Sequence, residues 1–149
     1  MWKYTYGLYQ SLLIFNLLLI SFSKPVKFLP NSTLILIFGV LLILIAAIIN
    51  VHWEIFWHRN FIIHGSKRTI ITKGIYAYIR HPFLLVIILA SFGLAIAFNY
   101  LQCLVLSVIS ATIIFIGSKK EEDELIGKYG NKYKEYMNRV RYRFIPKVI

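Results

Sequence analysis

Acidic residues are scarce in this chain and cysteine is almost missing. Six Asp and Glu stand against 17 Lys and Arg, and Cys103 is the single thiol. One cysteine excludes an intrachain disulfide framework, and its position inside an apolar run reads as a small buried hydrophobe rather than a reactive thiol. No phosphate-binding glycine loop is present. Charge itself is missing from long stretches. All 17 basic residues fall at Lys3, at Lys24 and Lys27, between Arg59 and Arg80, and between Lys119 and Lys147. The segments between them are apolar with almost no ionisable group. With 58% hydrophobic residues and a mean hydropathy of +0.68, a domain of 149 residues lacks the polar surface that a soluble fold needs. The pattern is that of membrane spans joined by loops. The net charge of +11 is then assigned to membrane orientation and anionic lipid, not to nucleic acid.

A helix needs about 20 apolar residues to cross the hydrocarbon core. Thr33 to Val51 is the clearest span, a near-continuous run of Leu, Ile and Val opened by Pro30-Asn31-Ser32. A first span, about residues 4–22, carries Gln10, Ser11 and Asn16, which should face other helices. It is followed by Lys24-Pro25 rather than a small-residue cleavage site, so it reads as a retained span and not a signal peptide. Phe83 to Ser118 is too long to cross once, since a single helix over it would reach roughly 54 Å. The break falls at Phe98-Asn99-Tyr100, giving spans of about 83–98 and 100–118 joined as a hairpin. The expected fold is all-α: one integral membrane bundle of about four transmembrane helices. The segment 52–82 carries five basic residues and the tail 119–149 nine, against two between the first spans and none at the hairpin tip. Loop and tail are therefore expected in the cytosol, beneath a multi-pass membrane protein.

The tail has a pattern of its own. Leu125, Tyr129, Tyr133, Tyr136 and Val140 recur at three- and four-residue spacing, one face of an amphipathic helix. Gly127 and Gly130 predict a break within it. Such a face either lies on anionic lipid or folds back over the ends of the spans, and composition does not separate the two.

Two polar clusters meet the membrane on the loop side. Thr69 through Pro82 leads into the third span, with Pro82 at the helix start and Arg80-His81 beside it. Backbone N–H groups there, with Arg80 and His81, attract a carboxylate, although an ordinary helix start with a snorkelling arginine has the same sequence. Lys119-Lys120-Glu121-Glu122-Asp123-Glu124 follows the fourth span. Carboxylates are disfavoured at a helix C-terminus, so either the helix continues or they have a cationic partner. Asp123 and Glu124 read as solvated, whereas Glu121 and Glu122 border the apolar face and can look inward. A hairpin of the third and fourth spans makes Arg80-His81-Pro82 and Glu121-Glu122 neighbours. His52, His58 and His64 near Glu54 invite a metal reading, but six-residue spacing sets successive rings on opposing sides of a helix, and no metal is expected. Trp53, Phe56 and Trp57 read as an interfacial aromatic belt.

Gly74-x-Tyr76, Arg80-His81-Pro82, Glu121-Glu122-x-x-Leu125, Tyr129-Gly130-x-x-Tyr133-x-x-Tyr136 and the closing Val140 to Pro146 occur in that order around the hairpin. In this the C-terminal half resembles the isoprenylcysteine carboxyl methyltransferase and phospholipid methyltransferase superfamily of membrane enzymes. The resemblance implies S-adenosylmethionine-dependent methyl transfer to a lipidic or prenyl-like small molecule at the cytosolic face. It implies cofactor contacts from Thr69, Ile70, Ile71, Tyr76, His81, Pro82 and Glu121, with Arg80 and Glu122 as catalytic support. Three positions depart from the pattern. Leu84 and Val86 stand where the superfamily has Tyr and Gly after His-Pro, and Gly117 stands where members acting on prenylcysteine place an arginine. Two other readings stay open: an NADPH-dependent enzyme resembling membrane sterol reductases, and a small membrane protein without catalysis.

Overall fold

The computed structural model describes residues 32–64 and 70–145 continuously, together with 24, 26–30 and eight positions between 10 and 22. Most of the expected first span lies outside the described residues, as do Thr69 and Pro146; the eight positions between 10 and 22 are helical. Beyond residue 32 the chain forms α1 (Thr33–His64), a 3-10 turn (Gly74–Ala77), α2 (Pro82–Phe98), α3 (Leu101–Tyr129) and α4 (Asn131–Arg139). The described residues hold no strand.

Ser32 caps α1, its Oγ accepting the Leu34 N–H at 3.2 Å. From there to His64 the sequence contains no proline and one glycine, so nothing stops the helix. Two sequence expectations are corrected here. The span placed at 33–51 continues as helix through residues expected in the loop 52–82, and its apolar part extends to Phe56. Likewise the tail expected from 119 begins as a continuation of α3. Gly127 does not break α3, where a helical glycine merely lowers propensity; the break comes at Gly130, whose φ of 59° ends the helix.

α2 starts with Pro82 in its first turn and ends at Asn99, a non-glycine residue in the left-handed region (φ 56°). Asn99 tolerates that conformation because its short amide finds local partners. Its Nδ2 donates to the Leu29 carbonyl at 2.7 Å and its Oδ1 accepts the Leu29 N–H at 3.1 Å. The Leu101 N–H donates to Val26 O at 2.8 Å, and Gln102 Nε2 donates to Lys24 O at 2.8 Å. Lys24, Val26 and Leu29 thus strap the α2–α3 turn.

α2 is the central helix, packed on α1 along one side and on α3 along the other. The α1–α2 approach is set by small residues. A Cβ at Gly39 would collide with the backbone of Ala97, and one at Gly93 would lie 3.0 Å from the Gly39 carbonyl oxygen. Close backbone approach of this kind is how helices associate where apolar burial from water supplies no drive. On α3 the buried stripe is Cys103, Ser107, Ser110, Ile114 and Ser118, then Glu121 and Glu122. The Ser107 hydroxyl turns back to the Cys103 carbonyl and that of Ser118 to Phe115.

Among the described residues two helices are long and apolar enough to cross a membrane, α1 over Thr33–Phe56 and α3; α2, of 17 residues, is shorter. Only 11% of the apolar window of α1 and 28% of that of α3 is buried. Leu34 and Ile48 are 76% and 69% exposed. A soluble core helix would cover such surface, so these faces require an apolar surrounding.

The packing yields a paired prediction. Gly39→Ala should destabilise by about 1–3 kcal/mol through overpacking against Ala97. Gly127→Ala, whose Cβ meets nothing within 4 Å, should stabilise by about 0.5–1 kcal/mol. Thermal midpoints of the detergent-solubilised variants should therefore move in opposite directions.

Candidate functional site

The chemistry-bearing residues gather where α2 begins, at the end of the bundle away from Asn99. Proline at 82 disfavours helix at the preceding residue, so His81 is non-helical (φ −124°, ψ 62°) and the chain arrives extended. The returning C-terminal segment lies beside it. The Arg80 N–H donates to Tyr142 O at 3.0 Å and the His81 N–H to Arg143 O at 2.9 Å. Phe144 inserts into the core formed by Phe83, Leu84, Ile87 and Ile114.

Glu122, 2% exposed, sits at the junction of α2, α3 and the tail. Its Oε1 accepts from Arg80 Nε at 2.7 Å and from His81 Nε2 at 3.2 Å. Its Oε2 accepts from Arg143 Nη2 at 2.6 Å and Nε at 3.0 Å. Arg80 then spends Nη1 on the carbonyls of Val140 and Arg141, at 2.7 and 2.9 Å. Burial opposes ionisation of Glu122, but the hydrogen bonds from His81, Arg143 and Arg80 outweigh it and hold the carboxyl down at about 2. Both alternatives posed by the sequence are realised: the helix runs on past the carboxylates, and Glu122 has cationic partners.

Glu121 is a contrasting case. It is 8% exposed, and its carboxylate makes no hydrogen bond among the described residues. The His81 Nδ1 lies 3.7 Å from its Oε2. Burial raises its carboxyl above the ordinary range; His81 pulls it down, and Glu122 and Glu124 push it up. The His81 ring therefore stands between two carboxylates, one saturated and one not.

The wall beside this pair is the turn Gly74–Ala77. Gly74 has φ of 63°, and a Cβ there would lie 2.5 Å from the Phe56 ring, so both backbone and packing require glycine. Tyr76 is buried; its hydroxyl accepts from Trp53 Nε1 at 2.8 Å, and its carbonyl accepts from the Tyr136 hydroxyl at 2.8 Å. Burial pushes the Tyr76 phenol up to about 12, against the lowering hydrogen bond from Trp53. Tyr133, Tyr136 and Val140 form a second core against Ile70, Leu125, Ile126, Tyr129 and Met137. Burial raises both tail phenols well above 10. The amphipathic face of the tail is folded back on the bundle.

Of the residues singled out from sequence, Arg80, His81, Pro82, Tyr76, Glu121, Glu122 and Ile70 come together here. Ile71 is half-buried at the start of the same segment. Arg80 and Glu122 bind each other. Leu84, in the position where tyrosine was expected, is 2% exposed in the apolar core, and Val86 is also buried. His58 pairs with Glu54 on an exposed face at 3.1 Å, apart from this cluster. Trp53, read from sequence as part of an interfacial belt, turns inward to Tyr76 and stacks on Phe83 at 4.8 Å. Arg143 was missed. The signal available for it was charge balance, since a buried Glu122 needs more than one cationic neighbour. A cavity of about 310 Å³ lies elsewhere, lined by Lys27, Ser32, Thr33 and Asn99, roughly 24 Å from the site along α2.

With this geometry in view, comparison with known proteins is informative. The phospholipid methyltransferase family model matches residues 31–132. That span holds α1, α2, the 3-10 turn and both glutamates, and the chain belongs to this family. It is a membrane protein of the methyltransferase class. No individual curated protein matches it.

Glu122→Gln should cost about 3–5 kcal/mol at neutral pH, because the buried Arg80 guanidinium and the partly buried Arg143 guanidinium lose their counter-charge. The depressed carboxyl contributes stability that is complete above pH 4.5 and is lost as pH falls from 4.5 towards 2. The gap in thermal midpoint between the wild type and Glu122→Gln should shrink over that interval.

Proposed function

We propose that this protein is an S-adenosylmethionine-dependent methyltransferase acting on a lipidic or amphipathic substrate at the cytosolic face of the membrane. The observation that carries the reading is Glu121: a carboxylate 8% exposed, without a hydrogen bond among the described residues, beside a histidine already engaged by Glu122. A buried carboxylate in that condition calls for a cation. The cofactor fits, carrying a sulfonium and an ammonium. Glu121, His81, Pro82 and Tyr76 would hold it, with Ile70 and Ile71 leading into the same wall. When bound, it supplies an electrophilic methyl group.

The protein's own contribution is positioning and exclusion of water, which suffice for an in-line displacement. Arg80 and Glu122 support the site by fixing His81 from the side away from Glu121. Tyr76 stays neutral at physiological pH and is held on both sides, by Trp53 and Tyr136. The exposed apolar flanks of α1 and α3 offer a lipid-facing approach, and Ile116, 63% exposed, lies about one helical turn before Glu121. A substrate with an acyl or prenyl-like chain can lie there with its polar end at the site. Most of the basic residues lie at this end of the bundle, which supports a multi-pass topology with the site facing the cytosol.

Calorimetric titration of the detergent-purified protein with S-adenosylhomocysteine tests the reading, with NADPH run in parallel. Saturable binding of the first and none of the second is expected. Glu121→Gln and His81→Ala should each weaken it about tenfold or more, as loss of a charge-assisted contact requires, whereas the solvated Asp123→Asn should not. Equal losses from all three would reduce the effect to general tail charge. Affinity should also fall on acidification, beginning above the ordinary carboxylate range because the Glu121 carboxyl is raised, and Glu121→Gln should abolish that dependence.

A further inference from the structure

We propose that Arg143 is a positioning residue of this site: its guanidinium, delivered by the returning C-terminal segment, fixes Glu122 and through it the His81 ring beside Glu121. The inference rests on the methyltransferase reading and extends it to a residue beyond the matched family span, which ends at 132.

The geometry runs in one chain of contacts. Arg143 places Nε and Nη2 on a single oxygen of Glu122, at 3.0 and 2.6 Å. The other oxygen is thereby left to Arg80 and His81, at 2.7 and 3.2 Å. Without Arg143, one lone-pair set of a carboxylate 2% exposed would go unmet. The carboxylate could then rotate, and the His81 ring would lose its fixed partner. Arg143 is itself held. Its backbone carbonyl accepts the His81 N–H, its guanidinium carbon lies 5.9 Å from the Phe115 ring centroid, and the next residue, Phe144, is buried in the bundle core. The tail therefore completes the site and does more than cover it. The groups facing Glu122 are Arg80 and His81 ahead of α2, Glu121 on its own helix, Tyr133 on α4 and Arg143 on the tail. Arg143 supplies one of the two permanent positive charges.

The test compares wild type, Arg143→Met, Arg143→Lys and, as a control on the same segment, Arg141→Met, whose side chain is exposed. Each is titrated with S-adenosylhomocysteine across pH 5 to 8. Arg143→Met is expected to lose about tenfold in affinity at neutral pH and to gain, beyond the Glu121 limb, a further acid loss from Glu122, whose carboxyl rises when the Arg143 hydrogen bonds are removed. Arg141→Met should match the wild type. Arg143→Lys keeps the charge but reaches Glu122 through one ammonium, and should fall between. A purely structural role would lower affinity by the same factor at every pH, and that result overturns the proposal, as does wild-type affinity in Arg143→Met. If the methionine variant does not fold, the lysine variant decides: wild-type affinity with an unmoved acid limb sinks the idea. A wild type that binds no S-adenosylhomocysteine would instead overturn the cofactor reading itself, and the positioning role with it.

Discussion

The arrangement depends on one buried carboxylate. Glu122 draws together three parts of the chain remote in sequence: the extended arrival at α2, the far end of α3, and the C-terminal return. Burying a carboxylate alone would be prohibitive, and breaking a buried ion pair from one side is costly. Once Glu122 is buried, Arg80 and Arg143 must both be present. Arg80 must then find partners for further donors, and its Nη1 does so on the carbonyls of Val140 and Arg141. Each requirement adds a constraint on the tail. The result is a closed polar knot at the end of an otherwise apolar hairpin.

The knot works because the hairpin beneath it is rigid. α2 is fixed against α1 where Gly39 and Gly93 let the backbones approach, and against α3 along a stripe of Ser, Cys and Ile. At the far end the Asn99 amide and the contacts of Lys24, Val26 and Leu29 fix the turn. With both ends defined, the height of Glu121 and Glu122 relative to Pro82 follows from helical rise. Continuation of α3 beyond Lys119-Lys120 is what carries the carboxylates to the level of His81.

Much of this could be read in the sequence. The Asn99 break, the start at Pro82 and the meeting of Arg80-His81 with Glu121-Glu122 all follow from local signals: an apolar run too long for one crossing, a proline at a helix start, and carboxylates on the apolar face. What was not legible needed tertiary information. The continuation of α1 past Val51 carries no local stop or start signal, so charge at His52 to Arg59 suggested a loop where the backbone had no reason to end. Trp53 shows the same limit. An aromatic at a span end fits an interfacial belt, and its turn inward is determined by Tyr76, 23 residues away. Arg143 sits among other basic residues in a tail where nothing local marks one as buried. Its role emerges only from counting the donors around Glu122.

The two adjacent glutamates end up with opposite duties for a simple geometric reason. Neighbouring positions on a helix point about 100° apart, so both can border the buried face, yet they cannot share one set of partners. Glu122 faces the arginines and is spent on structure. Glu121 faces His81, whose Nδ1 lies 3.7 Å from its Oε2, and makes no hydrogen bond among the described residues. Leu84 and Val86, two positions apart, point to different sides of α2's first turn and are both buried. Leu84 packs with Ile114 and Phe144, so an apolar side chain supports the Phe144 plug at the position where the resemblance implies tyrosine.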